Sequence, residues 1–329
     1  MRKGDTALVT GAGGFIGSHL VEALVRQGAG VRAFVRYNSR RDWGLLSQFD
    51  PALLAQIEVI AGDLRDAAAV EQAMRGVKVA FHLGALIAIP YSYVHPDEVV
   101  AVNVLGTLNV LNAARRCGIE RLVHTSTSEV YGSARYVPMD EGHPLQGQSP
   151  YSASKIGADK LAESYWRSFG LPVVTVRPFN TYGPRQSTRA VIPTIITQAL
   201  TAERVVLGSL APHRDFTFVS DTVAGFLKAA DAPDVGGMTI NLGTGRDVSI
   251  EEVAQMIFAL ISRPLDISLD TKRVRPKESE VDRLCSNPAL AAQVLGWHPQ
   301  VSLEEGLTRT IAWMREHITD YRRIGQYTV

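Results

Sequence analysis

Residues 10–17 read Thr10-Gly11-Ala12-Gly13-Gly14-Phe15-Ile16-Gly17. The segment follows a short apolar run at 7–10, and it opens a stretch with apolar residues at helical spacing, Ile16, Leu20 and Leu24. A strand, a glycine loop and a helix in this order direct successive backbone N–H groups and the helix N-terminus at a pyrophosphate. The segment therefore predicts a dinucleotide-binding loop at the start of a parallel α/β sheet.

Short apolar runs alternate with amphipathic segments through the first half of the chain, as in βαβ units. Strands are predicted at residues 7–10, 31–35, 57–61, 79–82, 121–126 and 173–177. Right-handed crossovers between them give a doubly wound sheet. The predicted fold class is thus α/β: a Rossmann doubly wound parallel sheet with a smaller C-terminal α+β lobe for the substrate.

The alternation breaks from Asn180 onward, where Gly183-Pro184 and shorter strand-like pieces follow. We expect residues 1–179 to form the nucleotide-binding domain and residues 180–329 the substrate-binding lobe, which would include a strand at 239–242. Residues 216–230 have the pattern of a strand and a helix that would return to the first sheet and complete it.

Composition narrows the class of protein. The chain has 329 residues, of which 46% are hydrophobic and 20% charged, and this excludes disordered and collagen-like proteins. Its 34 Lys and Arg balance 33 Asp and Glu, so no basic field favours nucleic acid. Cys117 and Cys285 lack the spacing of a metal site or a disulfide framework, and the histidines show no metal spacing either.

The sequence also predicts a location. The N-terminus runs into the first apolar run without the long hydrophobic region of a secretion signal. The most apolar stretch, residues 79–94, is interrupted by His82 and Pro90 and is too short for a membrane span. We therefore expect a cytoplasmic protein without a membrane partner.

The second predicted strand ends in Arg36-Tyr37-Asn38 and lacks the acid that would bind the adenosine ribose of NAD. Arg36 stands where a cation would meet a 2′-phosphate, which favours NADP as cofactor and leaves NAD possible. Asp63 follows the third strand and is placed to reach the adenine, or else to shape a turn. The expected cofactor contacts are Gly11, Gly14, Phe15, Ile16, Gly17, Arg36, Asn38, Asp63, Leu64, Leu83, Ala85, Tyr151, Lys155 and Pro178.

A candidate catalytic pair follows Ser149-Pro150, which has the pattern of a helix start. Lys155 comes four residues after Tyr151 and therefore shares its helix face. An ammonium beside a phenol stabilises phenolate, so we expect the pKa of Tyr151 to fall toward neutrality and the phenolate to act as a base. Such pairs are common on helices, but residues 125–132 supply a second polar segment at the end of a strand, where Rossmann sites form.

These residues together resemble the extended short-chain dehydrogenase/reductase family. The resemblance rests on residues 10–17, Asp63, Tyr151 with Lys155, residues 177–180 and residues 182–184. Thr127-Ser128-Glu129 looks like the triplet of nucleotide-sugar 4,6-dehydratases, whereas 4-epimerases usually lack its Glu. Residues 85–93, 125–132 and 178–194 are similar to the N-acetylglucosamine 4,6-dehydratases of the legionaminic acid pathway.

The resemblance implies a substrate and a set of catalytic roles. The substrate would be UDP- or GDP-N-acetylglucosamine, and the product its 4-keto-6-deoxy derivative. Tyr151 would take the C4 hydroxyl proton, and Lys155 would hold Tyr151 and the nicotinamide ribose. Glu129 would remove the C5 proton, water would leave C6 with help from Glu129 or Ser128, and Thr127 would hydrogen-bond the C4 oxygen.

Substrate contacts are expected mainly from the second lobe. The candidates are Ile87, Thr127, Asn180, Arg185, Val191, Arg214 and Arg275. Arg forks suit a diphosphate, and the family pattern favours Asn180, Arg214 and Arg275 over Arg185, which could equally be a surface charge. Ile87 could instead belong to a packed loop.

Two other functions fit the same motifs. A 4-epimerase would use the same Tyr151 and Lys155, and a non-catalytic dinucleotide-sensing protein could share the fold. By resemblance we also expect a homodimer through the helices at 100–117 and 151–169.

Overall fold

The computed structural model describes residues 4–324, so residues 1–3 of the first predicted domain and 325–329 of the second lie outside the described residues. Its strands are β1 (Thr6–Thr10), β2 (Gly30–Arg36), β3 (Ile57–Gly62), β4 (Val79–His82), β5 (Arg121–Thr125), β6 (Val173–Pro178), β7 (Asn180–Tyr182), β8 (Arg204–Leu207), β9 (His213–Arg214), β10 (Phe216–Phe218), β11 (Thr239–Leu242), β12 (Val248–Ser249), β13 (Asp266–Leu269) and β14 (Arg283–Leu284).

The α-helices are α1 (Phe15–Arg26), α2 (Pro51–Leu54), α3 (Ala67–Met74), α4 (Ile89–Val94), α5 (Pro96–Val100), α6 (Gly106–Cys117), α7 (Pro150–Phe169), α8 (Val191–Thr201), α9 (Val219–Asp231), α10 (Ile250–Ile261), α11 (Ala289–Leu295), α12 (Leu303–Glu316) and α13 (Ile318–Ile324). A π-helical turn, Ala101–Leu105, joins α5 to α6. Within residues 4–324, every helix is too short or too polar to cross a membrane.

Seven parallel strands form the central sheet of the described chain, in the order β11-β6-β5-β4-β1-β2-β3. The order reverses between β1 and β4, and in such sheets ligands bind at the carboxyl ends of the strands beside this reversal. Apolar residues from β1, α1, β6 and α9 share one core. The α/β Rossmann prediction is confirmed.

The smaller lobe consists of short sheets and helices around α8, α10 and α12. Its strands pair as β7 with β10, β8 with β13, and β9 between β12 and β14. The lobe begins at the carboxyl edge of the central sheet, because β7 begins two residues after β6 ends.

Two strands differ from the sequence prediction. β11 pairs with β6 at the edge of the central sheet, whereas residues 239–242 were expected in the substrate lobe. Conversely, β10 pairs with β7 and does not return to the central sheet, although the helix that follows it, α9, packs on α1, β5 and β6. Hydrophobic pattern marks a strand of three or four residues but carries no information on which sheet it joins.

Candidate active site

The glycine loop between β1 and α1 leaves no room for side chains. Gly11 has φ +69°, and a Cβ on it would lie 2.8 Å from the Cα of Gly84. A Cβ on Gly17 would clash with the carbonyl oxygen of Gly11, which accepts a 3.0 Å hydrogen bond from the Gly14 amide. No side chain caps the N-terminus of α1. The first-turn amides can therefore bind an anion, and the loop fits the pyrophosphate of a dinucleotide.

A buried polar chain fixes the neighbouring loop, residues 83–88, after β4. Thr10 Oγ1 accepts a 3.1 Å hydrogen bond from the Gly84 amide and lies 2.8 Å from His82 Nδ1. His82 Nε2 in turn lies 3.0 Å from Thr107 Oγ1. Burial holds the pKa of His82 well below its ordinary value, so the ring is neutral at physiological pH. His82 thus links β1 to α6 as a neutral structural group.

The residues predicted for the adenosine end lie at the carboxyl ends of β2 and β3. Arg36 is exposed, and its Nη2 lies 3.4 Å from Glu98 Oε1. The Asn38 side chain accepts hydrogen bonds from two amides of its own loop. Asp63 pairs with Arg65 at 2.6 Å, and this hydrogen bond lowers the pKa of the Asp63 carboxyl. Arg36 is therefore partly neutralised, and Asp63 shapes a turn.

The other predicted cofactor contacts lie at or after the carboxyl ends of strands or at the start of α1. The Leu64 side chain is buried, and Cβ atoms built on Gly84 or Gly106 would overlap it. The remaining apolar positions are partly buried and lie at the start of α1, after β4 and at the end of β6: Phe15, Ile16, Leu83, Ala85 and Pro178.

The catalytic pair sits at the start of α7. Ser149 caps this helix in a capping box with Ser152, and Pro150 occupies its first turn, as predicted. Tyr151 and Lys155 are 7% and 4% exposed. The Lys155 Nζ donates a 2.7 Å hydrogen bond to the carbonyl of Thr125 at the end of β5. The ammonium therefore ties α7 to the carboxyl edge of the sheet.

The electrostatics of this pair differ from the prediction. Burial raises the pKa of Tyr151 far above its ordinary value, although a hydrogen bond with the Thr127 hydroxyl opposes the shift. Burial also lowers the pKa of Lys155 to about 8, and the Asp159 carboxylate acts in the opposite direction. The expectation that the pKa of Tyr151 falls toward neutrality is wrong, because burial of the phenol is the largest effect and raises it.

The triplet after β5 faces Tyr151. Residues Ser128–Tyr131 form a 3₁₀ turn, and the amide of its second residue, Glu129, donates a 3.2 Å hydrogen bond to Thr127 Oγ1. Ser128 is buried, whereas Glu129 is partly exposed. The negative charge of Glu129 raises the pKa of Tyr151 and favours the charged form of Arg214. Glu129 thus lies within electrostatic reach of both the phenol and Arg214.

Two guanidinium groups predicted for the substrate converge on one carboxylate. Arg214, at the end of β9, is buried and its Nη2 donates to Glu280 Oε1 at 3.3 Å. Arg275 Nη1 lies 3.6 Å from the same oxygen. Within residues 4–324, Arg275 Nη1 and Asn180 Oδ1 are buried without a hydrogen-bond partner. These atoms are available to a polar ligand.

Three predicted substrate contacts are not brought into this cluster. Arg185 has φ +69° and binds Glu22 of α1 at 2.5 Å while it covers the ring of Phe49. Val191 starts α8 and packs on the main core. Ile87 is 68% exposed in the loop after β4.

Sequence reasoning missed Asn103, which lies in the π-helical turn. Its side chain binds both the amide and the carbonyl of Leu86, at 2.8 and 2.9 Å, and donates to Ser154 Oγ at 3.0 Å. Asn103 therefore fixes the loop after β4 against the catalytic helix. Its signal was a single Asn within an otherwise apolar run, Ala101-Val102-Asn103-Val104-Leu105.

Asp159 and Arg177 were missed as well. The Asp159 carboxylate accepts hydrogen bonds from Ser126 Oγ at 2.6 Å, His124 Nε2 at 3.1 Å and Arg177 Nη2 at 2.9 Å. Burial opposes ionisation, but the His124 hydrogen bond and the Arg177 charge outweigh it and lower the pKa of Asp159 to about 2. The available signal was an acid four residues after Lys155, on the same helix face.

Comparison with known proteins gives the relatives of the chain. The family described as GDP-mannose 4,6 dehydratase matches residues 8–310. A UDP-glucose 4-epimerase from Mycolicibacterium smegmatis is 34% identical over 94% of this chain and 98% of its own. A dTDP-glucose 4,6-dehydratase from Streptomyces antibioticus is 33% identical over 94% of this chain and 92% of its own. DesIV, a dTDP-glucose 4,6-dehydratase from Streptomyces venezuelae solved with NAD, is 30% identical, with a TM-score of 0.83 over 97% of this chain and 99% of that one.

The match extends over nearly the whole chain and includes both lobes. Dehydratases and epimerases are similarly close, so the comparisons leave the reaction and the sugar open. The chain belongs to the GDP-mannose 4,6-dehydratase family, within the extended short-chain dehydrogenase/reductase superfamily.

Proposed function

We propose that the protein is a nucleotide-sugar 4,6-dehydratase that converts UDP- or GDP-N-acetylglucosamine, or a related nucleoside-diphosphate hexose, to the 4-keto-6-deoxy sugar. The observation that carries this proposal is the position of Glu129, a carboxylate whose charge acts on both Tyr151 and Arg214. An elimination across C5 and C6 requires a base in addition to the residue that deprotonates the C4 hydroxyl.

A nicotinamide dinucleotide bound at the glycine loop would supply a hydride acceptor for C4 and return that hydride to C6. Tyr151, held by α7 at the carboxyl edge of the sheet, would take the C4 hydroxyl proton as phenolate, a form that burial disfavours and that the positive charges of Lys155 and of a bound oxidised nicotinamide ring would stabilise. Lys155, fixed by the Thr125 carbonyl, presents its ammonium to the crevice where the nicotinamide ribose would lie. Thr127 donates a hydrogen bond to the oxygen at C4 as charge develops on it.

Glu129 carries the step that separates a dehydratase from an epimerase. The ketone at C4 acidifies the C5 hydrogen, and the Glu129 carboxylate removes it as a proton. The C6 hydroxyl leaves as water after accepting a proton from Glu129 or through the buried Ser128 hydroxyl. The sugar loses one water, and the cofactor ends each turnover in its starting oxidation state.

For the cofactor we propose a preference for NADP over NAD, supported by the position of Arg36 at the end of β2. The exposed guanidinium can turn from Glu98 to a 2′-phosphate, since ion pairs of this exposure contribute little, about 0–1 kcal/mol. Residues 1–179, joined by β11, would hold the cofactor. The rest of residues 180–329 would bind the substrate.

We also propose that the protein is a cytoplasmic homodimer. Exposed apolar side chains at the end of α5, in the π-helical turn and on α7 support the dimer: Val100, Leu105, Trp166 and Phe169, which are 45%, 52%, 39% and 49% exposed. Burial of such side chains favours association. Light scattering that shows a monomer at micromolar concentration would refute the dimer.

The deciding experiment is mass spectrometry of the purified protein with UDP-, GDP-, CDP- and dTDP-linked hexoses and N-acetylhexosamines, each with NAD or NADP. Loss of one water from one sugar nucleotide is the expected result, and it also identifies the base and the sugar. An isomer of unchanged mass would instead establish the second candidate, a 4-epimerase, which the 34% identity to such an enzyme favours. Cofactor binding without turnover of any member would indicate a dinucleotide-sensing protein.

A further inference from the structure

The place predicted for the substrate diphosphate already contains a carboxylate. Glu280 Oε1 lies 3.3 Å from Arg214 Nη2 and 3.6 Å from Arg275 Nη1, so one oxygen faces two guanidinium groups. Arg214 also lies within the electrostatic reach of Glu129. Two positive and two negative groups therefore balance in this cluster, and an entering diphosphate would bring negative charge into a neutral site.

The segment that carries Glu280 is anchored mainly by groups other than its carboxylate, which accepts one hydrogen bond at 3.2 Å from the Val281 amide. Gln148 Nε2 donates to the carbonyls of Glu278 and Glu280 at 3.2 and 3.0 Å, and Ser279 Oγ donates to the Gln148 carbonyl at 2.6 Å. Tyr93 Oη lies 2.6 Å from Ser279 Oγ. The Glu280 side chain is 19% exposed. The hydrogen bonds of Gln148 and Ser279 do not involve the carboxylate, so they can hold the main chain in place when the Glu280 side chain turns toward solvent.

We propose that Glu280 is a specificity-determining residue that competes with the substrate diphosphate for Arg214 and Arg275. This inference rests on the proposed function, because it needs the two arginines to bind a diphosphate. Without ligand, the carboxylate accepts a hydrogen bond from Arg214, forms an ion pair with Arg275 and so offsets the repulsion between the two guanidinium groups. A diphosphate presents several anionic oxygens and can face both forks, so it displaces a single carboxylate, whereas weaker anions do not.

The test is isothermal titration calorimetry of the full-length protein, saturated with NADP or NAD, with UDP, GDP, CDP and dTDP as probes. Glu280→Gln keeps the size of the side chain and the main-chain anchors but removes the competing charge. We expect it to tighten the Kd of the best-bound nucleoside diphosphate by about threefold or more. The matched control is Glu278→Gln, which removes an equal charge from an exposed neighbour and should leave Kd within about twofold.

Variants of Arg275 distinguish the failure of the proposed competition from the failure of the diphosphate assignment. Arg275→Ala should weaken nucleoside-diphosphate binding. If it does so while Glu280→Gln leaves binding unchanged or weaker, the competition is refuted and the diphosphate assignment stands. If Arg275→Ala has no effect, the diphosphate assignment fails and the inference fails with it. Cofactor binding in each sample reports folding, and Glu280→Ala, for which the same tightening is expected, replaces Glu280→Gln if that variant does not fold.

Discussion

Arg177 and Asp159 form a buried ion pair behind the catalytic helix, with Arg177 Nη2 2.9 Å from Asp159 Oδ2 and the two side chains 6% and 4% exposed. Arg177 also donates to Tyr131 Oη at 2.9 Å, which donates to Asn241 Oδ1 of β11 at 2.8 Å. The pair thus links α7, which carries Tyr151 and Lys155, to three neighbouring strands of the sheet. Hydrogen bonds of this density hold the active-site edge in one arrangement.

Asp159→Asn should destabilise the fold strongly. The substitution leaves the Arg177 guanidinium buried without its counter-charge, and breaking such a pair costs about 3–5 kcal/mol of unfolding free energy. Urea denaturation followed by circular dichroism measures the change. The matched control is Arg167→Gln, which breaks the exposed pair with Glu163 and should cost under about 1 kcal/mol. Equal losses in the two variants would contradict the role given to the buried pair.

The activity should depend on the charge of Lys155. Its pKa of about 8 means that the ammonium is present at lower pH and lost above it, so kcat/KM should fall as the pH rises past about 8. The charged and titratable groups around Lys155 are Asp159 on the same helix, His124 on β5 and His82 on β4. Burial lowers the pKa of both histidines, which are therefore neutral at this pH.

Lys155→Arg tests whether the fall in kcat/KM above pH 8 is due to Lys155. Guanidinium remains charged throughout the accessible pH range, so a variant with residual activity should lose the fall above pH 8. Lys155→Met should be inactive at every pH while it still binds the cofactor. If kcat/KM of the Arg variant still falls at the same pH, the fall is due to the titration of another group.

Glu129→Gln should abolish water loss while the substrate and cofactor still bind. Removal of a general base typically reduces the rate by about 10²–10⁴-fold, and the amide keeps the size of the side chain. Mass spectrometry of the product measures the reaction, and calorimetry with the sugar nucleotide measures binding. Ser128→Ala is the matched comparison, because a similar loss there would assign protonation of the C6 hydroxyl to the Ser hydroxyl. Dehydration by Glu129→Gln at the wild-type rate would remove Glu129 from the mechanism.

The sequence was informative where local pattern and chemistry coincide. The glycine loop, the capped start of α7 and the Tyr151–Lys155 face are each set by neighbours within a few residues, and the structure contains all three. The helix expected at 100–117 ends at Cys117, where Gly118 adopts φ +63° and stops it.

Features that depend on the packing of distant segments were not predictable from local pattern. The placement of β11, the ion pair of Asp159 with Arg177 and the hydrogen bond of Arg214 to Glu280 join residues that lie 18 to 66 positions apart. The pKa of Tyr151 was predicted in the wrong direction because spacing identifies the neighbouring ammonium but not the depth of burial, which is the larger effect here.

Arg36→Ala should change the choice between NADP and NAD. The guanidinium at the end of β2 is 66% exposed and lies 3.4 Å from Glu98, so it has room to meet a 2′-phosphate beside the carboxyl edge of the sheet. Its removal should raise KM for NADP by about tenfold, the worth of a charge-assisted hydrogen bond, and should leave KM for NAD within about twofold. Glu98→Gln is the companion variant, because it frees Arg36 and should lower KM for NADP. Initial rates of water loss with each cofactor measure the ratio, and an equal rise of both KM values in Arg36→Ala would show that Arg36 supports the loop without reading the 2′ position.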